Sequence, residues 1–315
     1  MESTVSLDLV VGVDDTGSEG QIIESRSVDK DRQTLVAAII GRDDLFKFNT
    51  EWMNLVGELQ TEFNVNEFHA SELWGGTVLN NQLNKAAKRQ AEKIILDAFE
   101  KATKICIDNG VAFVVQTVHA ETFESLVSVL GSIKNPQPFT KLVDELTKPK
   151  ENRKLAALLL LSRQVLQFSR QVGQGLAQEK SHLVVDVEWW LDKSPDLLSL
   201  SKEATSVAAA GFRKSPFSFI ASNQSNLVQA ADFAAYVLNR NIYFMANRKA
   251  TDAALQQSIG YLRAKSLLMR TAGIVPLMLN VRAAKLRDVD IHAETYDRIL
   301  DSMRLKEGLG KLDYN

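Results

Sequence analysis

The sequence predicts an α/β protein, a mixed sheet with helices on both faces, on three observations. Strand-like apolar runs open the chain, long amphipathic helices separate the later strands, and one late helix is apolar nearly all round. With 315 residues, 45% of them hydrophobic, there is enough apolar side chain for one sizeable core.

Leu7 to Asp14, roughly Gln21 to Arg26, and Thr34 to Gly41 read as strands separated by turn-rich or charged stretches, an opening meander. Asp43 or Asp44 can cap a helix continuing through Phe63, and a longer helix follows from about Leu83 to Asp108 with Gly110 as its stop. Val111 to Val118 and Ser181 to Trp190 are the next strands. Between them, Gly131 to Glu179 is helical in character and punctuated by Pro136, Pro138 and Pro149, which suggests a helical insertion. Ser225 to Arg240 is the apolar helix, with Ser225 or Asn226 as its cap. Beyond Asn247 the chain stays amphipathic and helical, apart from a possible strand at Gly273 to Asn280. The division expected is a core over 1–245, carrying the insertion 131–179, and a helical C-terminal extension over 246–315 packed on it. Strand, strand, strand, helix, strand, helix, strand, helix is the order of a ribonuclease H-like core.

Composition narrows the function. A net charge of -2 gives no global basic field, so a nucleic-acid partner would have to meet local patches. Asn84 to Lys93, Lys148 to Lys154 and Gly211 to Ser215 are the candidates. The single cysteine, Cys106, supports neither an internal disulfide nor a zinc site and reads as a core residue in a reducing compartment. The N-terminus lacks a basic region, and the apolar run Ala156 to Leu161, which Leu155 extends by one, is far shorter than the ~20 residues of a membrane span, so a cytoplasmic protein without a membrane partner is expected. The helical tail from about Ala250 is a plausible surface for homo-oligomers. The chain has no Gly-x-Ser-x-Gly elbow, Walker A loop, His-Glu-x-x-His or Cys-x-x-Cys.

The acids carry the functional signal. Asp14 and Asp15 end a strand that reads as buried, and being adjacent they leave on opposite faces, so one of them, preferably Asp14, shares a site. Glu67, His69 and Glu72 fall within six residues. Asp186 interrupts an apolar strand, with Glu188 on the same face. Asp232 is the only charged residue from Leu227 to Leu238, on a helix that should be buried, where a charge needs a partner. Turns, helix-dipole contacts or salt bridges explain each acid singly. One hypothesis explains them together: Asp14, Asp186 and Asp232, completed by Glu67 or Glu72, hold Mg²⁺ or Mn²⁺ for phosphodiester attack, and His69 shuttles a proton or orients water. Spacing leaves open whether Asp15, Glu67 or Glu188 joins.

Four motifs, "VGVDDTGS", "EFHASELW", "HLVVDVE" and "NLVQAADFAAY", stand in an order that resembles the uncharacterised family catalogued as domain of unknown function 3800. The resemblance covers residues 7 to 240 in patches, and its specific parts are His69-Ala70-Ser71-Glu72-Leu73 and Gln229-Ala230-Ala231-Asp232. It implies a ribonuclease H-like fold and a metal-dependent nuclease role in bacterial or phage settings. Asp15 and Thr16 stand where Glu and Ser are usual. Three other readings compete. A catalytically inactive ribonuclease H-like module would use the fold for binding or assembly. A homodimeric aspartic protease would use Asp15-Thr16-Gly17, although the chain holds no second such loop. An actin-like phosphotransferase would need a repeat of the domain.

Overall fold

The computed structural model describes residues 4–15, 32–75, 77–82, 84–119, 152–176, 182–193, 217–247 and 259–282. Strand β1 (Thr4–Asp15) is buried on both sides from Leu9 to Val13, as its unbroken apolar run requires. β2 (Arg32–Gly41) pairs with it antiparallel, Asp14 opposite Val36. The strand expected at Gln21 to Arg26 lies outside the described residues. β2 passes straight into α1 (Arg42–Phe63): Gly41 holds the cap position, so Asp43 and Asp44 sit in the first turn and complement the helix dipole instead of capping. A four-residue helix, α2 (Thr77–Asn80), precedes α3 (Lys85–Asp108). Asn84 caps α3 by accepting the Ala87 amide, and Gly110, at φ 65°, turns the chain into β3 (Ala112–His119).

β3 pairs antiparallel with β2, so it stands one strand away from β1 rather than beside it. The other flank of β1 is taken by β4 (His182–Asp192), parallel to it, and β5 (Phe217–Ile220) continues parallel to β4. β6 (Met278–Arg282) pairs parallel with β3 at the opposite edge, giving one six-stranded mixed sheet in the order β5-β4-β1-β2-β3-β6. The C-terminal stretch, expected to be helical apart from a possible strand at Gly273 to Asn280, contributes this edge strand after α6 (Ile259–Thr271), with the strand beginning at Met278 and the residues before it forming a short 3-10 turn. Residues 283–315 lie outside the description.

One face of the sheet packs against α1, α3, α5 (Asn226–Asn247) and α6, through Val10, Val36, Ile40, Phe113, Trp52, Phe99, Phe233 and Leu267. The other face is covered by α4 (Asn152–Leu176), whose Ala157, Leu158, Leu161 and Val165 join Leu9, Val11, Val13, Leu35 and Trp189. This helix lies within the stretch 131–179 expected to be helical. α4 is the second layer of the fold, because the odd-numbered side chains of β1 need an apolar cover of their own. Among the described residues no helix is long and apolar enough to cross a membrane.

Candidate functional site

The site begins with a glycine. A Cβ on Gly12 would lie 2.6 Å from the Leu227 carbonyl carbon and 2.8 Å from the Val228 nitrogen, so only glycine lets the first turn of α5 rest directly on β1. Ser225 starts that helix by accepting the Val228 amide on its hydroxyl at 3.2 Å. Asp14 lies two residues past Gly12 on the same face and is almost completely buried, 9% exposed. Parallel pairing of Val13 with Leu191 then brings the next residues, Asp14 and Asp192, out of neighbouring strands side by side.

The β4 acid at this edge is Asp192, not Asp186. Register puts Asp186 opposite Asp8, six residues back along β4 and so roughly 20 Å from Asp192. The strand runs two residues beyond the expected end at Trp190, through the buried Leu191, which is why the sequence reading stopped short of the relevant carboxylate. Glu188 does not join either: its carboxylate takes the Arg42 guanidinium at 2.6 Å and the Trp190 indole N–H at 2.8 Å.

Residues 67–72 are mounted on α5 by two side chains one helical turn apart. The buried Gln229 amide oxygen accepts from the Trp52 indole and from the Phe68 amide, both at 3.0 Å, and its nitrogen donates to the Ser222 carbonyl at 3.0 Å. Asp232 Oδ2 accepts the Ala70 amide at 3.0 Å and stands 2.9 Å from His69 Nδ1. The Ser222 hydroxyl donates to Glu67 Oε2 at 2.6 Å. Gln229 and Asp232 thus act as a two-point clamp that carries Glu67 and His69 to the edge where Asp14 and Asp192 end. Glu72 sits exposed on the π-helical turn Ser71–Gly75, within electrostatic reach of His69.

Asp15 leaves β1 on the other face, as adjacency demands, and meets Lys154 of α4 at 2.5 Å and the Gln33 amide at 3.3 Å. Lys154 is itself buried, which removes it from the candidate phosphate-binding residues. The same pairing argues against the aspartic protease reading, since that chemistry needs an aspartate sharing a proton with a second carboxylate rather than facing a lysine.

The electrostatics are one-sided. Burial holds the Asp14 carboxyl well above the usual aspartate value, and Asp232, Asp192 and Asp15 push it the same way, opposed by a 2.7 Å hydrogen bond from the Asp15 amide. Asp192 is raised as well, first by burial and then by Asp15, Asp232 and Glu67, against a hydrogen bond from the Lys193 amide. Hydrogen bonding to Asp232 lifts His69 to about 9 despite its desolvation, with Glu72 and Glu67 adding to the effect. Among the described residues, no Lys or Arg pairs with Asp14 or Asp192.

No protein-family model matches the chain, and no curated protein is found related to it. Within the structure, Gln229 and Asp232 form the clamp, and the segment they hold is Phe68 to Ala70.

Of the expected residues, the fold brings together Asp14, Asp232, Glu67 and His69, keeps Glu72 nearby, and leaves Asp186 out. It adds Asp192, Gln229, Ser222 and Gly12. Asp192 was within reach of the sequence, because positions 186, 188, 190 and 192 alternate onto one face of the strand. All the ionisable donors but one imidazole are carboxylate oxygens, the chemistry of a Mg²⁺ or Mn²⁺ site. Among the described residues, no three His, Cys, Asp or Glu side chains stand close enough to enclose a metal ion as they are. Asp232 is turned toward His69 and the Ala70 amide.

Proposed function

We propose that the protein is a divalent-metal-dependent phosphodiester hydrolase, a nuclease, built on a ribonuclease H-like fold of the domain of unknown function 3800 type. The fold reading is supported by strand order: β1, β2 and β3 are successive antiparallel neighbours, and β4 and β5 extend the sheet parallel to β1 on its other flank. The observation that carries the functional reading is the crowding of carboxyls at the ends of β1 and β4, unpaired with Lys or Arg among the described residues, where Asp14 and Asp192 are held above their usual values with Asp232 and Glu67 close by. Such crowding is unfavourable in the protein alone and becomes favourable when a cation is shared.

Asp14, Asp192, Asp232 and Glu67 or Glu72 would hold Mg²⁺ or Mn²⁺. The ion, when bound, supplies an activated water and neutralises charge on the phosphate. His69, at about 9, carries a proton at neutral pH, and Asp232 fixes its ring through Nδ1. Its Nε2 side then suits proton donation to a departing oxygen better than abstraction from water. Gln229 keeps the His69 segment in place and Gly12 sets the depth of α5.

The test is cleavage of labelled DNA and RNA by purified protein with Mg²⁺ or Mn²⁺, using Asp232→Asn as control, since that change keeps the shape of the helix and removes the charge. Metal-dependent cleavage lost in the variant is expected. If Asp232→Asn leaves cleavage and metal-dependent melting unchanged, the site is wrong. A second reading, an inactive binding module of the same fold, is favoured by the engagement of Asp232 with His69 and gains the case if wild-type protein cleaves neither nucleic acid.

A further inference from the structure

One and two turns past Asp232, the same face of α5 carries Tyr236 and Arg240, about 6 and 12 Å along the axis. The Arg240 guanidinium lies 4.9 Å from the centre of the Tyr236 ring. Arg263 of α6 stands 5.5 Å from the centre of the Trp74 ring, on the turn that also carries Glu72. Two polar atoms by these cations are buried: the Tyr236 hydroxyl, on a residue 8% exposed and beside the Arg240 guanidinium, and the Trp74 indole N–H, on a residue 3% exposed and without a hydrogen-bond partner among the described residues. Burial raises the Tyr236 phenol, and its hydroxyl also feels Arg240 and Arg263, which lower it, and Asp232, which raises it, so the cations adjoin the acidic site.

Arg263 is answered by Glu92 at 2.8 Å. Arg240 has no acidic partner among the described residues and is partly exposed. Lys88 and Arg89 lie one turn before Glu92, the partner of Arg263, on α3 and add positive charge to that part of the helix. An isolated acidic site repels a polyanion, so a chain substrate needs cations spaced along its backbone beside the reacting phosphate.

Resting on the hydrolase reading, we infer that Arg240, backed by Tyr236 and Arg263, is a phosphate-contacting subsite that holds the backbone of a polynucleotide one or two nucleotides from the acidic site. The substrate is then a nucleic-acid chain and not a small phosphodiester.

The test measures binding of a fluorescein-labelled single-stranded oligonucleotide, as DNA and as RNA, to Asp14→Asn protein across a potassium chloride series, with and without Arg240→Gln. Arg240→Gln should weaken binding on the order of tenfold at low salt and reduce the salt slope by about one. Arg240→Lys, which keeps the charge, should retain most of the slope and serves if the Gln variant folds poorly. In wild-type background, Arg240→Gln should raise KM for oligonucleotide cleavage by a larger factor than it lowers kcat. Oligonucleotide affinity independent of Arg240 or of salt, or no binding by the parent, overturns the subsite even if metal-dependent cleavage is found. Arg240-dependent binding by a protein that cleaves nothing supports the subsite and overturns the hydrolase reading alone.

Discussion

The two ends of the β1–β4 pair carry acids on the same face of the same sheet and treat them in opposite ways. At the starting end, Asp8 and Glu188 share Arg42 at 3.0 and 2.6 Å, all three in contact with solvent, and hydrogen bonding to Arg42 lowers Glu188 below its usual range. At the finishing end, Asp14 and Asp192 are buried deeper, have no described cation, and are both raised. Counting acids does not find a site, because both ends have them. What separates the ends is compensation: one set is answered by a guanidinium, and the other has no Lys or Arg paired with it among the described residues.

The largest effect that sharpens this contrast is on activity. Asp14→Asn and Asp192→Asn should each lower metal-dependent nuclease activity at least about 100-fold, since even outer partners of metal ligands contribute 10–100-fold. Glu188→Gln, at the answered end, should change it little. Equal losses from Glu188→Gln and Asp192→Asn in the same cleavage assay would break the comparison. Next comes packing: Gly12→Ala should destabilise the fold by about 1–3 kcal/mol or more, read as a lower midpoint in denaturant, because the added carbon meets helix backbone that cannot rotate away.

Metal-free stability gives a smaller effect of opposite sign. A buried acid whose folded pKa is raised favours its protonated form, so its stabilisation is present below the unfolded value near 3.8 and is lost as pH rises. Asp14→Asn should therefore melt higher than wild type in EDTA at neutral pH, by about 2–4 °C for each kcal/mol relieved, and the gain should vanish at low pH. Added Mg²⁺ or Mn²⁺ should raise the wild-type midpoint and not that of the variant. Asp8→Asn, removing one partner of an exposed pair, should cost no more than about 1 kcal/mol.

The smallest effect concerns His69, whose side chain is 40% exposed. Its pKa is raised from 6.5 to about 9, so the pair with Asp232 stabilises metal-free protein fully below pH 6.5 and loses that contribution as pH rises through about 9. Melting of His69→Gln in EDTA should lack this alkaline decline, a difference of well under 1 kcal/mol given the screening at the exposed ring. Parallel pH profiles for variant and wild type would remove His69 from the pair.

Periodicity and punctuation made much of the fold legible. β1, α3 with its Gly110 stop, β3, β4 and a cap of α5 at Ser225 or Asn226, of which Ser225 takes the role, all follow from local patterns, since alternation, capping and left-handed turns act over a few residues. Of the site, the sequence by itself determined which acids were anomalous: adjacency alone put Asp14 and Asp15 on different faces, and a lone charge on an apolar helix marked Asp232. Only the tertiary structure decided which anomalies meet. Parallel register between β1 and β4 replaced Asp186 by Asp192, packing of α4 over the second sheet face took Lys154 to Asp15, and the close seat of α5 on Gly12 brought Asp232 to the strand ends. The physical reason is range. A strand's face is set by its own alternation, whereas its offset against a neighbour distant in sequence is set by how two packed layers fill space, and a six-residue offset moves a carboxylate from one end of the sheet to the other.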